Sequence, residues 1–322
     1  MQAMTLDVFT VGEAMVLFAA AQAGPLDTVA TFVRSTAGAE LNVAIGLARL
    51  GLRVGYLSRL GDDSFGRLIA GVLDREGVDR SRVGFDAQHP TGFMLKSLSR
   101  DGSDPAIEYF RRGSAASRMS AADNPREGCA GTRHLHLTGI FVALAPGTRE
   151  LVFDLAAQAR AAGRTISFDP NLRPALWPSR AEMIEVLGRL ADGSDWILPG
   201  LEEGRLLTGR SDPRDIAAHY LDRGASFVAV KLGAEGAWCA TPRHQGLVAG
   251  VPVARVVDTV GAGDGFAVGV ISGQLEGLSA AEATARGNPI GARVVGFPGD
   301  CDGLPKRSEL DALMALTTPR NG

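Results

Sequence analysis

Short apolar runs alternate with amphipathic stretches along most of this sequence. Near the start, apolar runs at Leu6–Val11 and 54–60 are each followed by an amphipathic stretch, at 40–50 and 64–76. Buried parallel strands read as continuous apolar runs, whereas the helices that connect them are apolar on one face only. This alternation predicts a parallel sheet that is covered by helices on both faces.

The same alternation resumes in the second half of the chain. It predicts strands at 134–137, Thr165–Asp169, 196–198 and Phe227–Lys231, with helices at 148–162, 180–190 and 213–223. A chain of 322 residues with 45% hydrophobic content can bury a full core. We therefore predict an α/β fold with a doubly wound, mostly parallel sheet.

Two stretches interrupt the alternation, at about 17–36 and 92–112. In the second, short apolar segments at 94–99 and 107–111 flank the polar turn 100–105, which is typical of a hairpin. We predict that both stretches form one small sheet, a lid over the carboxyl ends of the main strands, where open α/β folds bind ligands. The alternative is a pair of edge hairpins on the main sheet. Because no linker or repeat is visible, we expect a single domain over 1–322.

Charge and composition argue against several classes of protein. The formal net charge is −3, with acidic and basic residues interspersed, so neither a nucleic-acid surface nor a polybasic membrane anchor is expected. The three cysteines are far apart and match no metal spacing, which is typical of a reduced intracellular protein. No secretion signal or membrane span is predicted, so we expect a cytoplasmic protein.

The glycine-rich segment 258–266 reads DTVGAGDGF and follows the apolar run 251–257. Gly261 and Gly263 lack a Cβ atom, so the backbone can turn tightly and approach a ligand. The unpaired N–H groups at the start of a helix bind anions such as phosphate. We therefore predict a strand, a phosphate-binding turn and a helix in succession.

Asp264 falls in the first turn of that predicted helix. The helix dipole is expected to stabilise its anion and lower its basicity, so that it orients an alcohol and accepts its proton late. The alternative is that Asp258 and Asp264 only cap a glycine-rich helix start.

This segment resembles the C-terminal signature of the ribokinase-like (PfkB) carbohydrate kinases, and the similarity extends over about 7–310. The resemblance implies an ATP-dependent kinase that uses Mg²⁺. It also implies that Asp264 is the catalytic base and that Gly261, Ala262 and Gly263 provide the amides of an anion hole.

A second segment, 36–44, reads TAGAELNVA and places small residues before an amphipathic helix. Asn42 offers both a donor and an acceptor, which suits sugar hydroxyls, although it could instead bond a neighbouring turn. The segment is similar to the N-terminal signature of the same family, which implies that Gly38 and Asn42 contact the sugar.

Two arginines suggest an acidic substrate. Strand alternation places Tyr109 and Arg111 on one face, and Arg173 directly follows a predicted strand. Arginine forms a planar, bidentate pair with a carboxylate, which a neutral sugar lacks. The alternative is a surface ion pair or a packing role for the arginine stem.

Within the family, Tyr-x-Arg, Asp-Pro-Asn-x-Arg and the segment 299–305 (GDCDGLP) resemble kinases of 2-keto-3-deoxygluconate. This implies phosphorylation of the terminal hydroxyl of that sugar acid, held by Tyr109, Arg111 and Arg173. The alternatives are a kinase for a neutral ketose or pentose, or for 5-keto-2-deoxygluconate. An alternative of another class is a non-catalytic sugar or nucleotide sensor.

The expected nucleotide site uses a loop after the strand Phe227–Lys231. Gly233 and Gly236 allow close approach to ATP, and Lys231 offsets phosphate charge. The family resemblance places adenine between this loop and a later helix, near Asn288. Pro289 fits only the first turn or a kink of that helix, so the position of Asn288 stays open.

Two cation sites are implied by the resemblance. Glu203 matches the glutamate of an acidic family motif whose asparagine is lost here, so it would hold Mg²⁺ through water. Asp258 would bind a monovalent cation, giving activation by K⁺. A lid edge with exposed backbone also leads us to expect a homo-oligomer paired through the lid.

Overall fold

The chain forms two separate β-sheets, and helices cover both faces of the larger one. The computed structural model describes residues 6–98, 105–125, 129 and 131–315. The strands are β1 (Leu6–Val11), β2 (Met15–Ala20), β3 (Phe32–Ala37), β4 (Val54–Gly61), β5 (Asp79–Asp86), β6 (Phe93–Lys96), β7 (Ile107–Phe110), β8 (Thr132–Thr138), β9 (Thr165–Asp169), β10 (Trp196–Ile197), β11 (Phe227–Lys231), β12 (Gly236–Ala240) and β13 (Gln245–Ala249). The α-helices are α1 (Ala39–Arg49), α2 (Ser64–Arg75), α3 (Pro146–Ala161), α4 (Arg180–Asp192), α5 (Leu201–Thr208), α6 (Pro213–Leu221), α7 (Ala262–Leu275), α8 (Ala280–Val294) and α9 (Arg307–Met314).

The large sheet has nine strands in the order β13-β12-β11-β10-β9-β8-β1-β4-β5. Neighbours from β11 to β5 pair in parallel, and only β12 and β13 at one edge pair antiparallel. The prediction of a doubly wound, mostly parallel sheet is confirmed. In the sheet, β4 lies next to β1 on one side and β8 lies next to it on the other. The strand order therefore reverses at β1. Ligand sites of open α/β sheets lie at such a reversal.

The core lies on both faces of this sheet. Along β1, Val8 belongs to one apolar cluster, which includes side chains of α1, α2, α7 and α8. The adjacent Phe9 belongs to the other, which includes side chains of α3, α4 and α6. Because successive strand residues point to opposite faces, a continuous apolar run serves both layers.

The small sheet has the order β3-β2-β6-β7, so the two predicted lid stretches do form one sheet rather than two edge hairpins of the main sheet. The predicted turn between β6 and β7 falls partly on 99–104, outside the described residues. Val33 on β3 and Phe110 on β7 are 62% and 47% exposed at the two edges. Pairing of two copies through these edges stays a prediction.

The predicted strand at 251–257 is wrong. Residues 250–261 contain no strand, and most side chains of this run are exposed. Pro252 has no backbone N–H for a sheet ladder. The amides of Val257 and Asp258 instead donate to the carbonyl of Val295, at 2.7 and 3.1 Å. The glycine-rich turn is therefore entered from a surface segment.

Candidate active site

A cavity of about 680 Å³ lies at the carboxyl ends of β1, β8, β9, β10 and β11, beneath the small sheet. Its lining includes most of the residues singled out in the sequence, namely Gly38, Asn42, Tyr109, Arg111, Arg173, Glu203, Lys231, Gly261, Gly263 and Asp264. A second cavity of about 440 Å³ contains Gly233 and shares Glu203 and Lys231 with the first. The fold therefore brings together segments that are far apart in the sequence.

The glycine-rich turn places the start of α7 at this cavity. Gly261 has a φ of 84°, a left-handed conformation that favours glycine. A Cβ atom on Gly261 would also lie 2.5 Å from the carbonyl oxygen of Asp300. The first amides of α7 are thus held at the cavity, where they can bind an anion.

Asp264 is buried in the first turn of α7, and Asn42 of α1 donates a hydrogen bond to it over 2.8 Å from Nδ2 to Oδ2. Burial raises the pKa of Asp264 to about 8, although the Asn42 bond opposes the shift. The prediction that the helix dipole lowers its basicity is wrong, because desolvation of a buried carboxylate outweighs a dipole effect. Asp264 is therefore a stronger base than an exposed aspartate.

The raised pKa of Asp264 has a consequence for stability. The folded protein keeps this proton up to about pH 8, whereas an ordinary aspartate has a pKa of 3.8. The stability from the bound proton is fully present below pH 3.8 and is lost as the pH rises through 8. Asparagine at 264 carries no such dependence, so we expect the Tm advantage of Asp264→Asn over native protein to grow by roughly 2–4 °C or more between pH 5.5 and 8.5. Thermal melts across this range check it, and a constant Tm difference would count against a buried, protonated Asp264.

The contact of Asn42 with a sugar stays a prediction, and the structure adds that its amide nitrogen donates a hydrogen bond to Asp264. Its Oδ1 atom is buried and accepts no hydrogen bond from any described residue. Asn42 therefore positions the carboxylate and still has an acceptor for a hydroxyl donor.

Lys231, at the end of β11, lies next to the start of α7. Its Nζ atom is 2.6 Å from Oδ2 of Asp169, the last residue of β9. Burial lowers the pKa of Lys231, but Asp169 and Glu203 outweigh this effect and hold the pKa above its ordinary value. A Cβ atom on Gly263 would be 3.3 Å from Nζ, so the ammonium is available to an anion at this turn.

The sequence did not single out Asp169, although it ends a predicted strand. Burial raises its pKa to about 6. Its position as the first residue of the Asp-Pro-Asn segment, at the end of a predicted strand, was the available signal, since carboxyl ends of parallel strands share one edge.

Glu203, in the first turn of α5, lines both cavities. Its two carboxylate oxygens each accept a backbone hydrogen bond of 2.7 Å, from Leu172 and from Gly200. Among the described residues, no group of three or more His, Cys, Asp or Glu side chains is arranged to hold a metal. A water-mediated role for Glu203 stays a prediction.

The two arginines reach the cavity from different elements. Arg111 follows β7 of the lid and forms an ion pair with Glu13, whose side chain is 1% exposed. Its guanidinium also lies 5.7 Å from the centre of the Tyr109 ring. Arg173 donates from Nη1 to the carbonyl of Leu172 over 2.9 Å and has no ion pair within the described chain. Arg173 is therefore the freer of the two to bind a ligand carboxylate.

Asn288 and Pro289 lie inside α8, not in its first turn. The Asn288 amide donates to the carbonyls of Val248 and Ala249, over 3.0 and 2.9 Å, and so ties α8 to β13. Gly236 begins β12, beyond the turn that contains Gly233. A role for these residues in binding adenine stays a prediction.

No helix in the described ranges is both long and apolar enough to span a membrane.

The sequence matches the model of the pfkB family of carbohydrate kinases over residues 5–307. It is 51% identical over 315 residues to a 2-dehydro-3-deoxygluconokinase from Bacillus subtilis (strain 168), covering 97% of this chain and 96% of the relative.

Solved structures agree with this similarity. A PfkB protein from Polaromonas sp. JS666 is 50% identical, with a TM-score of 0.88 over 95% of this chain and 99% of that one. A putative ribokinase II from E. coli, solved with ATP and Mg²⁺, is 27% identical, with a TM-score of 0.87 over 96% and 99%. A fructokinase double mutant from Vibrio cholerae O395, solved with fructose, ADP and potassium ion, is 27% identical, with a TM-score of 0.84 over 97% and 100%.

Proposed function

The chain belongs to the pfkB family of carbohydrate kinases, and we propose that it transfers a phosphoryl group from ATP to the terminal hydroxyl of 2-keto-3-deoxygluconate. The observation that carries the proposal is a buried basic carboxylate, Asp264, at a helix N-terminus that faces a cavity containing Arg173. The similar Bacillus subtilis protein is named for the same compound, since 2-dehydro and 2-keto describe one group.

Phosphoryl transfer needs positioning and stabilisation of spread-out charge. In the proposed mechanism, the ionised form of Asp264, held in place by Asn42, orients the hydroxyl and accepts its proton as the oxygen attacks the transferred phosphoryl group and ADP leaves. The amides of Gly261, Ala262 and Gly263 bind the transferred phosphoryl oxygens at the start of α7. Lys231 adds a positive charge beside them.

ATP and Mg²⁺ are the proposed cofactors. ATP would occupy the second cavity, which contains Gly233, and the turn leading to Gly236, with Asn288 nearby on α8. Glu203 fits a water-mediated Mg²⁺ site, because each carboxylate oxygen accepts one backbone bond and retains a lone pair for water. Bound Mg²⁺ would neutralise phosphate charge.

The sugar acid would lie between the lid and the turn of α7. Arg173 binds its carboxylate through a planar pair of N–H groups, assisted by Arg111 and Tyr109 of the lid. Gly38 and Asn42 contact hydroxyls. The protein would act in the cytoplasm, where ATP is available.

Release of ADP from Mg-ATP with different acceptors tests the proposed substrate. We expect kcat/KM for 2-keto-3-deoxygluconate to exceed that for fructose or ribose by at least about 100-fold, because only the acid satisfies Arg173. The galactonate epimer and 5-keto-2-deoxygluconate serve as acidic comparison substrates. Comparable activity on fructose or ribose would overturn the assignment of an acidic substrate.

A further inference from the structure

A buried ammonium group lies beside the glycine-rich turn. Lys96 ends β6 of the lid sheet, and its side chain is 2% exposed. Its Nζ atom is 2.7 Å from Oδ1 of Asp300 and also forms an ion pair with Oδ2 of Asp258. The side chains of the two aspartates are only 4% and 7% exposed. One lysine from the lid therefore joins the two loops on either side of the start of α7.

Both of these aspartates are in contact with the turn that forms the anion hole. Oδ1 of Asp258 accepts a hydrogen bond of 2.9 Å from the amide of Val260. The backbone of Asp300 packs directly against Gly261, where a Cβ atom would come within 2.5 Å of its carbonyl oxygen. A cation that holds both carboxylates therefore fixes the path of the backbone at Gly261.

The site formed by the carboxylates of Asp258 and Asp300 requires a positive charge. Two buried carboxylates close together repel each other, and burial raises the pKa of Asp300. The side chain of Lys96 forms ion pairs with both carboxylates and supplies this charge.

The ammonium of Lys96 lies between Asp258 and Asp300, where a metal cation bound to both carboxylates would lie. A metal cation there would need carboxylate oxygens, and the ammonium of Lys96 already binds one oxygen of Asp258 and one of Asp300. Lysine carries a compact point charge with three donors, which matches a site built for a small monovalent cation. The family resemblance implies K⁺ at Asp258, and a potassium ion is present in the similar fructokinase structure.

We propose that Lys96 is a tethered cation that takes the place of a monovalent metal ion beside the anion hole and makes this kinase independent of potassium. Lys96 is a positioning residue, which acts on the turn at Gly261 through Asp258 and Asp300. The kinetic part of the proposal rests on the proposed function.

The native protein provides the first test. We expect equal rates of ADP release, within about twofold, in potassium and in tetramethylammonium buffers of equal ionic strength. Activation by potassium of about tenfold or more would overturn the proposal. Because this comparison needs no variant, it tests the proposal even if a Lys96 variant does not fold.

Lys96→Met removes the charge and keeps an unbranched apolar side chain in the strand. In tetramethylammonium we expect its kcat to fall by about 10-fold to 100-fold with little change in KM, because the anion hole is misplaced but still present. Potassium or ammonium should restore most of the loss. Lys306→Met, at an exposed lysine that precedes α9, is the matched control and should behave like native protein. Loss of activity in Lys96→Met without rescue by any monovalent cation would contradict the proposal.

A binding measurement separates this inference from the proposed substrate. Without sugar or nucleotide, potassium should raise the Tm of Lys96→Met by about 2 °C or more relative to tetramethylammonium, since an ion that binds only the folded state stabilises it. Native protein and Lys306→Met should show no potassium-specific shift. If Lys96→Met shows none either, the tethered cation is excluded, whatever the sugar turns out to be.

Discussion

Asp264→Asn is expected to lower kcat by about 10²–10⁴-fold while leaving the KM values for ATP and the sugar acid near those of the native enzyme. Asparagine has the size of aspartate and can still accept the hydrogen bond from Asn42, so the local geometry is preserved. It cannot accept a proton from the attacking hydroxyl. The loss should therefore fall on the chemical step, and steady-state rates of ADP release with both substrates varied measure it.

Asp302→Asn is the matched control for this substitution. Asp302 is an exposed aspartate on the loop that also carries Asp300, so the same change in chemistry occurs close to the site but outside it. We expect this variant to keep native kcat. A kcat for Asp264→Asn within about threefold of native would remove Asp264 from the role of base.

Arg173→Ala is expected to lower kcat/KM for 2-keto-3-deoxygluconate by about 10²–10³-fold and to change kcat/KM for fructose by less than about threefold. The decrease in kcat/KM for the acid corresponds to the free energy of the charge-assisted hydrogen bonds that a planar guanidinium donates to a carboxylate. Within the described chain Arg173 donates only to the Leu172 carbonyl, so its removal leaves no protein carboxylate unpaired. Initial rates with both acceptors provide the measurement.

Arg173→Lys is the conservative comparison, because it keeps the positive charge but loses the bidentate hydrogen-bonding geometry of the guanidinium. We expect its kcat/KM for 2-keto-3-deoxygluconate to lie between those of the native enzyme and Arg173→Ala. Arg111 is a poorer probe, since its removal would leave the buried carboxylate of Glu13 without its ion-pair partner and destabilise the fold. An equal loss on acid and neutral sugars in Arg173→Ala would show that this residue maintains structure and does not bind a carboxylate.

The main sheet could be predicted because its central strands are buried on both faces. Short, mainly apolar runs predict strands at Leu6–Val11, Thr165–Asp169 and Phe227–Lys231, and the structure has strands over those residues. The edge strand Asp79–Asp86 was missed, because it is polar and half exposed. The run 251–257 is also largely apolar, yet it lies on the surface. Composition alone does not show whether a partner strand is available, so this position could not be predicted from the sequence.

The candidate site was predictable in its residues but not in its electrostatics. Glycines and charged groups at strand ends can be recognised locally. The basicity of Asp264 depends on burial and on Asn42, which is 222 residues away in the sequence. The partners of Arg111 and Lys96 likewise come from distant segments. Pairings of this kind are set by the tertiary fold and leave no pattern along the chain.

Single-turnover phosphoryl transfer, measured by rapid quench with enzyme in excess over 2-keto-3-deoxygluconate, tests the central role of Asp264 most directly. With Mg-ATP saturating, we predict that Asp264→Asn forms sugar phosphate about 10²–10⁴-fold more slowly than native enzyme, while calorimetry gives unchanged dissociation constants for both substrates. Native single-turnover rates in the variant, with weakened binding of the sugar acid, would contradict the account and reassign Asp264 to substrate binding alone.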